Sequence, residues 1–317
     1  MTPPASRSRA PGPVKRFLSK AAPRQSRRRL LLTLARDFAH SPSSLFRRLS
    51  TENFANHRVA RALRVHCCIC GADGALHYDF PDVGLRRQHG IGLLRETLTC
   101  RACGGSMRDR QMAVGLLQVV ALATGRKADD LRSLRSGWNA SLRILDTDSF
   151  SAINGVLRGM PGYVHSQFKP ELDNGATLAD GSLNVNLVQM PLADASFDVI
   201  MTSDVMEHVE SDGLAHREIL RCLAPGGTYV FTIPFDPTMV ATRRLTVPAG
   251  RGNARFFLER HSHGDPHSSG GILAHRIYGQ QLLADLDAMG YQTRFQDIDQ
   301  PEIGVFGGDL FLAVRRP

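Results

Sequence analysis

The sequence predicts an α/β protein, a doubly wound sheet of seven strands preceded by a small module built on four cysteines. Three observations predict it. Residues 197–234, FDVIMTSDVMEHVESDGLAHREILRCLAPGGTYVFTIP, read as strand, helix and strand, with polar groups gathered at the carboxyl end of the first strand. From Leu142 onward, apolar runs alternate with helical segments. Before that alternation stand two Cys-x2-Cys pairs, Cys67/Cys70 and Cys100/Cys103, separated by 29 residues.

The elements follow in chain order. The 317 residues carry a net charge of +9, but residues 1–65 alone carry +13, which leaves the body mildly acidic. Residues 1–28 are rich in Pro, Ser, Ala and Arg and predict disorder. Within 29–48, Leu30, Leu31, Leu34 and Phe38 fall on one helical face among arginines. Three readings of that helix stand: packing on the body, docking on a membrane surface or partner protein, or an organellar transit peptide. Residues 66–125 form the cysteine module and an apolar helix over 112–123, and 126–140 read as a linker. The alternating α/β domain is expected over 141–317. Its strands are expected near 142–147, 162–167, 183–188, 197–202, 227–233, 291–296 and 309–315, and its helices near 151–159, 209–223 and 278–289. No run of 18 apolar residues occurs, so no membrane-spanning helix is expected; the expected compartment is the cytoplasm, with the basic segment available for peripheral membrane contact.

An x2 spacing lets two thiolates face one ion from a tight turn, and Gly71 and Gly104 follow the two pairs. Two such pairs predict a tetrahedral zinc site with Cys67, Cys70, Cys100 and Cys103 as ligands. Cys68 is an extra thiol, His66 an alternative ligand, and Cys222 a core residue.

The 197–234 stretch resembles class I S-adenosylmethionine (SAM) methyltransferases, whose corresponding half reads FDxxxxxxVxEHV…ExxRxLxPGGxxxxxxP. CxxCG, then LRETLTCRACGGSMRDRQ, and the late His263-Gly264-Asp265-Pro266 resemble a bacterial subfamily in which a CxxC…CxxC module precedes the methyltransferase domain. The resemblance covers residues 67 to about 315 and implies a Rossmann-like sheet, a SAM cofactor and methyl transfer. It also implies where the cofactor residues lie. The first strand should end in an acid and a Gly-x-Gly-x-Gly loop; Asp146 matches the acid, while Asp148, Phe150 and Ala152 replace the glycines. The second strand should end in a ribose-binding acid, and Gln167 stands there; the adenine-facing acid is replaced by Asn186. Neutral amides at both places imply weakened cofactor binding, and Gln167→Glu is expected to strengthen it. Asp204 and Glu207, after the fourth strand, complete the expected cofactor side.

His208, His263 and Asp265 are the catalytic candidates, for a base that takes a proton from a hydroxyl acceptor. His263 and Asp265 are read in a His- and Gly-rich loop, where His261 and His267 offer a metal alternative; Asp236 and Tyr278 are weaker candidates. The leading expectation is a SAM-dependent methyltransferase acting on a small-molecule or glycan hydroxyl. A catalytically silent binding or scaffold protein of the same fold is the alternative, argued from the lost glycines, Gln167 and Asn186. A nucleic-acid role is disfavoured at the catalytic domain by its mildly acidic body and low aromatic content.

Overall fold

The computed structural model describes residues 51–79, 94–138, 142–248, 254–256, 262–265 and 268–317. The expected helix at 29–48 and the tail before it lie outside these residues, as do His261 and His267. Two compact units are present. One takes in the described residues up to His66 together with Ala72–Met107; the other comprises Cys67–Gly71 and Arg108–Pro317.

In the first unit, helix α1 (Thr51–Ala62) is followed by two short antiparallel pairs. Strand β1 (Val65–His66) pairs with β2 (Asp73–Gly74), and β3 (Leu76–Tyr78) pairs with β4 (Leu98–Cys100), which follows the single-turn helix α2 (Leu94–Thr97). Leu76, Tyr78 and Leu98 are buried, and the Tyr78 hydroxyl accepts a hydrogen bond from Asn56 Nδ2 at 3.2 Å.

After Cys67–Gly71 the second unit continues from Arg108, in the first turn of α3 (Met107–Thr124), to α4 (Leu131–Ser136). Helix α3 packs close to the sheet because it carries Gly115: a Cβ there would meet Val230 Cγ1 at 2.8 Å. Helix α4 lies inside the stretch read as a linker, and this corrects that reading. Six residues are too few to show a period. Instead, Asp130 caps the helix through Ser133 N, and Leu131 and Leu134 are buried. The backbone N–H groups of Leu131 and Arg132 donate to the carbonyls of Cys68 and Ile69, which satisfies two groups that a helix start leaves unpaired.

Seven strands form the sheet: β5 (Ile144–Asp146), β6 (Tyr163–Gln167), β7 (Leu183–Asn184), β8 (Phe197–Ser203), β9 (Leu223–Thr232), β16 (Tyr291–Gln300) and β17 (Val305–Arg315). All seven predicted strands are members, in the order β7-β6-β5-β8-β9-β17-β16. β5 to β9 run parallel; β17 is antiparallel to both β9 and β16. Helices α5 (Ala152–Leu157), α6 (Asp212–Cys222) and α7 (Gln281–Met289) fall inside the predicted helices. Strand β9 begins earlier than predicted: Leu223 pairs with Phe197 and Thr228 with Val199, so Pro225-Gly226-Gly227 forms an excursion within the ladder, with Gly226 at φ +76°. Its run Thr228–Ile233 is buried, as a central strand covered on both faces requires, and the Tyr229, Phe231 and Phe311 rings stack at 4.2 and 4.9 Å. This is the Rossmann-like α/β sheet that the sequence predicts. Among the described residues no helix is long and apolar enough to cross a membrane.

Between β9 and α7 lie shorter strands: β10 (Arg243–Arg244), β11 (Thr246–Pro248), β12 (Ala254–Phe256), β13 (Ser262–Asp265), β14 (Ser268–Leu273) and β15 (Arg276–Ile277). His263 and Asp265, read above as loop residues, lie on β13, which pairs antiparallel with β14. Glycine at 264, 270 and 271 favours a loop, but cross-strand pairing overrides it.

Candidate functional site

The order of the sheet reverses between β5 and β8, and in such sheets the crevice beyond the carboxyl ends at this point receives ligands. Asp146 closes β5 there and is buried, with Oδ1 accepting from Asp148 N at 3.0 Å and Oδ2 from the Tyr163 hydroxyl at 2.7 Å. Burial, followed by the charge of Asp148, pushes its carboxyl up to about 7. The loop without glycines holds itself through its own side chains: Asp148 Oδ1 accepts from Phe150 N at 2.9 Å, and Ser151 caps α5 through Asn154 N. Phe150 stands 59% exposed and does not fill the crevice from within the core.

Gln167 ends β6. Its Nε2 donates to Asp180 Oδ2 at 3.0 Å and to Ser182 Oγ at 2.8 Å. Asp180 sits in a tight turn, in which the Leu178 and Gly181 N–H groups donate to the Ser182 and Leu178 carbonyls. Hydrogen bonds from the Ser182 hydroxyl and backbone hold the Asp180 carboxyl below its ordinary range, so it is ionised at neutral pH. Phe168, next in the chain, is 53% exposed. Asn186 is tied locally: its N donates to Asn174 Oδ1 and its Oδ1 accepts from Val188 N. The fully buried Asn184 organises this loop by donating from Nδ2 to the carbonyls of Lys169, Leu172 and Asp173.

Beyond β8, Asp204 adopts φ +50°, a left-handed conformation that an Asp tolerates better than most side chains. Arg108, on the first turn of α3, donates from Nη1 to Ser203 O and Oγ, and its Nε lies 3.8 Å from Asp204 Oδ2. The next turn, the 3₁₀ segment Met206–His208, carries Glu207, 1% exposed, and His208. The His208 ring donates from Nδ1 to Leu273 O at 2.8 Å and places Nε2 3.6 Å from Glu207 Oε1. His208 therefore joins the end of β14, the partner strand of His263 and Asp265. The buried Arg276 fixes this turn by donating to the carbonyls of Met206, Val209 and Glu210. Tyr278 is buried and donates to Asp212 Oδ2, and Asp236 accepts from Thr238 in a turn.

The four predicted zinc ligands converge. The sulfur atoms of Cys67, Cys70, Cys100 and Cys103 lie within 4.8 Å of one another. The two pairs repeat one local geometry: Gly71 N donates to Cys67 O at 2.8 Å and Gly104 N to Cys100 O at 2.9 Å, with both glycines at positive φ. Four thiolates around a zinc at about 2.3 Å span about 3.8 Å between sulfurs, and the cluster is compatible with that. Cys68 is outside it; its buried thiol, pushed up by desolvation, donates to Arg110 O. His66 is engaged with Asp73, and Cys222 is a core thiol raised to about 11 by burial.

Three side chains of this site escaped the sequence reading. Arg108 was visible only as part of an Arg-x-Arg element, and its partner Ser203 lies 95 residues away. Asp180 was an ordinary turn acid until the chain folded it against Gln167, and Arg276 carried no local signal.

A family model described as a methyltransferase domain matches residues 169–231, from the loop after β6 into β9. No curated protein matches. Among solved structures the chain is similar to 1,6-didemethyltoxoflavin-N1-methyltransferase from Burkholderia thailandensis, with 1,6-didemethyltoxoflavin and S-adenosylhomocysteine bound. It is 12% identical at TM-score 0.39, covering 67% of this chain and 79% of that one. It is also similar to a SAM-dependent methyltransferase from Mesorhizobium loti (19%, TM-score 0.36, 58% and 96% covered). A third similar structure is a sugar N-methyltransferase from Streptoalloteichus sp. (18%, TM-score 0.35, 59% and 85% covered).

Proposed function

We propose that this chain is a SAM-dependent methyltransferase that methylates a hydroxyl of a small molecule or glycan. The match of a methyltransferase-domain family to residues 169–231 carries the reading. The donor set at the carboxyl edge fits such a cofactor: Asp146 and Asp180 offer carboxyl oxygens, Gln167 an amide oxygen, and Phe150 and Phe168 exposed rings for an aromatic base. When bound, the cofactor supplies a methyl group on a positively charged sulfur, open to in-line displacement.

On this reading the residues divide by role. Asp146, Asp148, Asp204 and Glu207 form the acidic wall of the cofactor side, with Gln167 and Asn186 as polar contacts. Arg108 and Arg276 hold the loops after β8 in place. His263 and Asp265 are assigned to the acceptor side: the His263 imidazole is the base that would take the proton of the acceptor hydroxyl, with Asp265 as its supporting carboxylate. His208, tied to Leu273 O, is a wall between cofactor and acceptor. The cysteine cluster holds a structural zinc ion. A small-molecule or glycan acceptor is the expected partner, and the basic N-terminal segment contacts a membrane surface or a partner protein.

Isothermal titration of the purified protein with SAM and with S-adenosylhomocysteine tests the reading. One site per chain for both is expected. Absence of heat and of any thermal shift with either ligand would leave a fold without its activity.

A further inference from the structure

We infer that the carboxylate missing from the end of β6 has been moved to Asp180, and that Asp180 and Gln167 together form the acceptor for a vicinal diol such as a ribose. The inference rests on the SAM reading above and deepens it.

Both N–H groups of Gln167 Nε2 are spent inside the protein, one on Asp180 Oδ2 at 3.0 Å and one on Ser182 Oγ at 2.8 Å. An ionised carboxylate only accepts, so Asp180 fixes which way the amide faces. Gln167 Oε1 must then point away from Asp180, and it makes no hydrogen bond among the described residues. Asp180 is itself held firmly: Oδ1 accepts from Ser182 N at 3.0 Å and from Ser182 Oγ at 2.6 Å, and Ser182 is fully buried. Oδ2 is left with one internal donor and capacity for another. The Ser182 hydrogen bonds, with the Arg158 charge nearby, keep the carboxylate ionised. The pair thus presents two outward acceptors, an amide oxygen and a carboxylate oxygen, where a single acid would have offered two carboxylate oxygens. Phe168, exposed beside Gln167, supplies the apolar neighbour that a base attached to the diol needs.

This reverses the expectation for Gln167→Glu. The new carboxylate would face Asp180 across what is now a 3.0 Å hydrogen bond, and like charges at that distance repel. Binding should weaken.

The test is calorimetric titration of wild type, Asp180→Asn, Gln167→Glu and the double variant with S-adenosylhomocysteine and with its 2′,3′-dideoxy analogue, alongside melting curves. Asp180→Asn should weaken S-adenosylhomocysteine binding about tenfold, since a charge-assisted bond becomes neutral. Gln167→Glu should also weaken it, and the double variant should return to within about threefold of wild type. The Asp180→Asn penalty should vanish for the dideoxy analogue, which a merely structural role for Asp180 would not produce. Tightening by Gln167→Glu alone, unchanged binding in Asp180→Asn, or an equal penalty for both ligands would each overturn the inference while leaving the SAM reading intact. Wild type that binds no S-adenosylhomocysteine would overturn both.

Discussion

Asp146 shows how one residue can report on the site. Its carboxyl is buried and raised to about 7, with desolvation as the leading cause; the Tyr163 hydroxyl and Asp148 N–H bonds only partly offset it. Unfolded, the same group titrates near 3.9. Between those values the folded chain holds a proton that the unfolded chain releases, so stability is full below about pH 4 and is lost as pH rises towards 7. Asp146→Asn removes this slope. Urea unfolding at pH 5 and pH 8 should show wild type losing on the order of a few kcal/mol relative to the variant. Parallel pH dependence in the two proteins would mean that the carboxyl is not buried as described. His216, also buried and lowered to about 4, acts in the opposite sense below pH 6.5 in both proteins and cancels in the comparison. On the proposed SAM reading, in which Asp146 lies on the cofactor side, a cationic ligand prefers the ionised carboxylate, so SAM affinity measured by titration should rise through pH 7.

At the scale of elements, α4 depends on one side chain. Asp130 accepts from Ser133 N at 2.8 Å and from Ser133 Oγ at 2.7 Å, and it is buried. Its helix begins on the carbonyls of Cys68 and Ile69, so the cap also orders the segment of the first cysteine pair. Asp130→Ala should cost about 1–2 kcal/mol in urea unfolding, the usual loss for an N-cap, while Asp130→Ser should recover much of it. Equal stability of wild type and the alanine variant would show that α4 is held by Leu131 and Leu134 alone.

At the scale of the whole molecule the four-cysteine cluster carries the zinc prediction. Freshly purified, reduced protein should carry about one zinc per chain. Cys67→Ser or Cys103→Ser should release the metal and lower the melting temperature, because binding and folding are coupled in such sites. Cys68→Ser should retain it, since that thiol is turned to Arg110 O. Metal analysis by mass spectrometry reads each case, and a metal-free wild type would remove the zinc reading.

The sequence by itself determined the seven strands, the helices between them, the four cysteines that converge and the acid at the end of β5. These are written in local periods and short spacings, which survive without knowledge of the fold. It did not determine the cap at Asp130, the hairpin that carries His263 and Asp265, or the starting point of β9, because short elements draw their stability from pairing and packing rather than from a period. Nor did it reveal the three side chains that shape the site. Arg108 meets Ser203 across 95 residues, Arg276 meets Met206 across 70, and Asp180 meets Gln167 only because a tight turn folds the chain back beside β6. Asp180 stands 13 residues from Gln167 in the chain, and only the tertiary structure brings its carboxylate within hydrogen-bond reach of the Gln167 amide.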